Sequence, residues 1–181
     1  MSGKRDYMFT FSETNDRLEK YFSLMKIDDP ARRMEIEKAD IILLPDYEYY
    51  DYWPISEVFY NYCISNHPEH SIEYCYPTKW IKTFCSYSAN VLLPTIVTSN
   101  IFLPTLLNII SGFLYDCLEQ RAREREIHSK DGVYLPDEIY IEFKILVTKI
   151  NSKSKIIFYK GPSKNLAESF KQIDLSKLFT D

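Results

Sequence analysis

Cys63, His67, His70 and Cys75 lie within thirteen residues of one another, in a C-x3-H-x2-H-x4-C run. Thiolate and imidazole are the donors that zinc prefers. The spacing fits no finger or ribbon, however. Both cysteines fall on apolar faces of expected elements, so they read as buried thiols beside two loop histidines, and no metal is assigned. Cys–His nucleophilic catalysis meets the same objection, because every histidine lies in a polar connector.

A second constellation is denser. Residues 46–53 read Asp46, Tyr47, Glu48, Tyr49, Tyr50, Asp51, Tyr52 and Trp53. Flat rings can stack a base or pack against another protein, and carboxylates can hold ribose hydroxyls or a basic partner. Tyr47, Tyr49, Tyr50 and Trp53 are the candidate stacking rings; Asp46, Asp51 and Tyr52 complete the candidate contact surface. Glu57 follows in "PISEVFYNYC", just inside the next helix. A carboxylate there could serve a nucleotide- or NAD-cleaving hydrolase, tuned by the helix N-terminus and by neighbouring rings. The plainer reading is that Glu57 complements the helix dipole. "KGPSKN" at 160–165 sets Lys160, Ser163 and Lys164 at an expected helix start, a possible anion site. "RARER" at 121–125 is interleaved with glutamates and reads as a solvated helix face.

These residues need elements to position them. "YMFTF" reads as a short strand, and 18, 21, 22 and 25 mark the apolar stripe of a helix that Ser12 or Thr14 could cap. Asp28-Asp29-Pro30 signals a second helix start. "ADIILLP" (39–45) is apolar on successive residues, as a strand buried on both faces would be. Pro54 opens a helix, "SIEYCY" alternates as a strand, and "TKWIKTFCSYS" is a short helix or irregular. "VLLPTIV" (91–97) is a second aliphatic strand, and 100–127 is the longest helix, with a charged end that should protrude. "ADIILLP" and "ANVLLP" echo each other and read as two central strands with equivalent roles rather than as a duplication. "DEIYIEFKILVTKI" alternates, "NSKS" turns, "KIIFYK" returns, and Gly161-Pro162-Ser163 breaks the chain before a last helix.

The sum predicts an α/β fold, a central partly parallel sheet flanked by helices, with a C-terminal hairpin plus helix (ββα) at one edge or as an appendage. Residues 1–130 form the expected α/β core and 131–181 the C-terminal subdomain, packed on the same core. In such sheets ligands bind beyond the carboxyl ends of strands, which selects loops 45–54 and 97–104.

Composition narrows the function. The net charge of -4 argues against general nucleic-acid binding. Four glycines and no phosphate-loop or dinucleotide motif imply no cofactor. Eight of the 15 tyrosines lie between 47 and 76, so the aromatic excess is local. The segment 83–115 carries no charge, but Pro94, Pro104 and three asparagines suit a buried strand, a turn and a buried helix better than a membrane span. The start "MSGKRDYMF" lacks an apolar signal region, and four cysteines in a chain of this size fit a reducing, cytoplasmic setting. The expected function is a non-catalytic binding or assembly subunit of a larger intracellular complex, using loop 46–53 as its contact surface. A protein partner or a second copy is the expected occupant, with a nucleotide as the alternative.

Overall fold

Ile41, Ile42, Leu43 and Leu44 are all buried, each with under 2% of its surface exposed. A strand so apolar on both sides must be covered on both sides. The computed structural model, which describes residues 8–46, 52–83, 91–98, 103–129, 139–148 and 154–166, shows how. The chain runs β1 (Met8–Thr14), α1 (Leu18–Leu24), α2 (Pro30–Glu37), β2 (Ile41–Leu44), α3 (Pro54–Asn66), β3 (Ile72–Tyr74), β4 (Val91–Thr98), α4 (Leu103–Ser129), β5 (Tyr140–Val147) and β6 (Ser154–Pro162). A 3-10 turn at Ser163–Asn165 follows.

All six strands form one mixed sheet in the order β1-β6-β5-β4-β2-β3. The pairs β2/β3 and β4/β5 are parallel; β2/β4, β5/β6 and β1/β6 are antiparallel. The chain therefore makes two strand–helix–strand units, β2-α3-β3 and β4-α4-β5, joined antiparallel through their first strands. "ADIILLP" and "ANVLLP" are those first strands, so their roles are indeed equivalent.

Alternation along each strand sends side chains to two separate cores. On one face Ile41, Leu43, Ile96, Phe143, Ile145 and Tyr159 pack beneath α3 and α4. On the other, Ile42, Leu44, Val97 and Leu146 meet Phe22 of α1 and Ile36 of α2. The described part of the uncharged stretch beyond Thr83 lies in β4 and the first half of α4, whose Leu106, Ile110 and Phe113 are buried. Among the described residues, no helix is long and apolar enough to cross a membrane. From Tyr115 to Arg123 the side chains of α4 are exposed or half-buried, with Glu119 and Arg123 paired at 2.5 Å on its surface.

Three local features depart from the expected layout. The β5–β6 hairpin is neither an edge nor an appendage, because β1 returns to pair with β6 over seven residues and encloses it. Pro94 does not end β4. It sits in a bulge where Leu93 and Pro94 together oppose Phe143, which removes the need for an amide donor inside an interior strand. At α1, Thr14 is not the cap; its hydroxyl accepts from the Asp16 amide before the helix begins. By contrast Asp29 caps α2 as its sequence implies, accepting from the Ala31 amide at 3.0 Å with Pro30 behind it. The expected final helix lies largely outside the described residues, beyond the 3-10 turn.

Candidate functional site

Because β2 and β4 are antiparallel, their carboxyl ends point to opposite ends of the sheet. Loops 45–54 and 97–104 therefore cannot build one site together. The loop beyond β2 returns to the sheet at Tyr52. Tyr52 anchors it: its ring is fully buried, its hydroxyl donates to the Leu43 carbonyl at 2.8 Å, and its amide donates to the Lys82 carbonyl. Tyr74 and Tyr76 pack edge-on against it at 5.0 and 6.1 Å. Burial holds the Tyr52 phenol protonated well above its usual range. Tyr52 is thus core, not contact surface. Residues 47–51, including Tyr47, Tyr49, Tyr50 and Asp51, lie outside the described residues.

The two described ends that remain accessible, Asp46 and Trp53, line a cleft of about 740 Å³. Its floor is the second face of the sheet. There α1 and α2 cover β2 and reach Val97 of β4 and Leu146 of β5, while Thr10, Glu142, Lys144 and Phe158 line the cleft beyond them. Register sets the floor in rows. Lys144 stands opposite Phe158, which stands opposite Thr10, with Thr95 on the far side of Lys144. The next row holds Ser12, Ile156 and Leu146. Lys160 and Glu142 face each other across β5 and β6 in an ion pair of 2.9 Å. At the α1 wall Lys20 and Asp16 pair at 2.7 Å. Lys144 differs: its ammonium sits 5.6 Å from the centre of the Phe158 ring and has no carboxylate partner among the described residues.

Glu57 is exposed in the first turn of α3. It is not part of the cleft, since α3 packs on the opposite face of the sheet. The Cys/His run is likewise divided. Cys63 belongs to the core under α3 and Cys75 to the core under α2, with the sheet between them. Burial pushes both thiols up to about 12, far from a reactive thiolate. His67 pairs with Glu69 at 3.5 Å and His70 with Asp40 at 3.9 Å. No group of three metal-ligating side chains forms among the described residues. Lys160 and Lys164 also part company, Lys160 being spent on Glu142 within β6 and Lys164 lying in the 3-10 turn.

The chain matches no known family model, no curated protein and no solved structure.

The cleft itself was hidden from sequence reasoning. Alternation in β5 marks Glu142 and Lys144 as the polar face of a strand, and such faces are normally solvated. Only the strand order, which brings β1 and β6 beside β5 and so sets Thr10, Ser12, Ile156 and Phe158 next to it, turns that polar face into a floor.

Proposed function

We propose that this protein is a non-catalytic binding module that docks a protein partner, or a second copy of itself, through loop 46–53 and the cleft that loop borders. One observation carries the reading. Tyr52 ties the end of the loop back to β2, only nine residues along the chain, so Asp46 and Trp53 present from a fixed base at the mouth of the cleft. A surface held in place loses less entropy on binding than a free loop would. Rings and carboxylates beside a half-apolar floor suit an interface with a basic partner.

Light scattering on the full chain after size exclusion, together with affinity capture from its native cell extract, tests this. We expect self-association or a stoichiometric captured partner. Asp46→Lys should weaken it by about tenfold, or about 1.4 kcal/mol, with the melting temperature unchanged. A monomer that captures nothing, or a complex indifferent to both Asp46→Lys and Trp53→Ala, overturns the reading.

A further inference from the structure

We propose that the floor of the cleft is a small-molecule site for a mononucleotide, with Lys144 receiving the phosphate and Trp53 the base. This goes beyond the docking of a protein partner and needs neither that partner nor loop residues 47–51.

The argument begins with charge. Two of the acids around the cleft are already compensated, Glu142 by Lys160 and Asp16 by Lys20. Lys144 is the cation left without a carboxylate among the described residues. It stands on an interior strand in the middle of the floor, not on a rim. An anion there would meet one uncompensated ammonium, with the hydroxyl of Thr95 on the directly neighbouring strand position.

Shape supplies the second part. β2 and β5 stand two strand spacings, about 10 Å, apart. Asp46 continues from the end of β2, and Trp53 lines the same cleft. Lys144 and the end of β2 are thus separated by roughly the length of one nucleotide, and Asp46 and Trp53 line the same cleft, to accept from ribose hydroxyls and to stack the base. The volume of about 740 Å³ falls within the usual range for small-molecule sites. Pro45, Leu92 and Pro94 complete an apolar wall on the side where a base would lie.

Fluorescence and calorimetry on the full chain test this directly. The sequence has two tryptophans, and Trp80 is 86% exposed. In a Trp80→Phe background Trp53 is the sole tryptophan and reports stacking. Titration with AMP, GMP, CMP and UMP should quench it in at least one case. The matching nucleoside and inorganic phosphate should each bind about tenfold more weakly. Lys144→Gln should cost about tenfold in affinity for the monophosphate and leave the nucleoside unchanged. Lys144 lies on the exposed face of β5, so an unchanged melting temperature verifies the fold of that variant.

No quenching and no heat at about 1 mM nucleotide, the weak end of specific recognition, overturns the inference. So does binding that Lys144→Gln leaves intact, or inorganic phosphate binding as tightly as the nucleotide. The docking proposal is read by mass and capture and this one by ligand titration, so either can fail alone.

Discussion

Arg32 shows how a buried charge can be tolerated. Only 6% of it is exposed, and each of its three nitrogens donates a hydrogen bond. Its Nε donates to the Tyr76 carbonyl, Nη2 to the Tyr74 carbonyl, and Nη1 to the carboxylates of Glu73 and Glu35 at 2.8 and 2.7 Å. Burial alone would lower its pKa, but its hydrogen bonds to Glu73 and Glu35, with the attraction of their charges, outweigh it and raise the guanidinium above its ordinary value. The residue thereby fastens α2 to the strand and turn that follow α3. Arg32→Ala should cost about 3–5 kcal/mol, because it strands the half-buried Glu73 and two carbonyls at once. Arg32→Lys should recover only part of this, since an ammonium cannot fork to two carbonyls and two acids. Chemical denaturation of both variants measures it, and a Lys variant as stable as the parent would refute the geometric account. From sequence alone, "ARRMEIEKA" gave no hint of which arginine turns inward. Arg32 and Arg33 are adjacent and chemically alike, and only the position of the β3 turn separates their fates.

Among elements, the α3–α4 contact under the first sheet face turns on one glycine. A methyl added at Gly112 would stand 2.5 Å from the Tyr62 hydroxyl oxygen but 3.7 Å from Cζ, an ordinary contact. Tyr62 is held in turn by an edge contact to Phe113 and a tilted one to His67. Two effects oppose each other in Gly112→Ala: a gain of up to about 1 kcal/mol in helix propensity, and the displacement of the phenol. Removing the hydroxyl should release the first from the second. Gly112→Ala is therefore expected to stabilise a Tyr62→Phe background by about 1 kcal/mol more than it stabilises the parent. A double-mutant cycle by thermal melting reads the coupling, and additivity would mean that Tyr62 yields freely. At this scale the sequence was informative where signals are local. Asp29-Pro30 and Pro54 mark their helix starts, and the aliphatic runs mark β2 and β4. It was silent on order and direction. Nothing in the alternation of "DEIYIEFKILVTKI" says that a strand 130 residues earlier will flank its hairpin, or that β2 and β4 run opposite ways. Those facts depend on long-range pairing, and the cleft depends on them.

For the whole molecule, the two cores set the response to alkali. Burial pushes the Cys63 and Cys75 thiols from an ordinary 9.0 up to about 12, and Cys117 to about 11. Burial also raises the Tyr52, Tyr74, Tyr60 and Tyr62 phenols above their ordinary 10.0. In the unfolded chain the thiols release protons near pH 9 while the native state still holds them. Above that pH the native state binds more protons, so stability falls as pH rises. Below pH 9 both states are protonated, and these groups contribute no slope. The urea midpoint is therefore expected to stay level on their account up to about pH 8.5, then to fall steadily through pH 10 and beyond as the tyrosines join. General repulsion in a chain of net charge -4 would also act at high pH. The double variant Cys63→Ala, Cys75→Ala separates the two causes. Its midpoint at pH 7 should drop because two buried side chains shrink, yet its decline between pH 8.5 and 10 should be shallower than the parent's, since two proton-release sites are gone. An equal slope in both proteins would assign the decline to net charge and remove the buried thiols from the account.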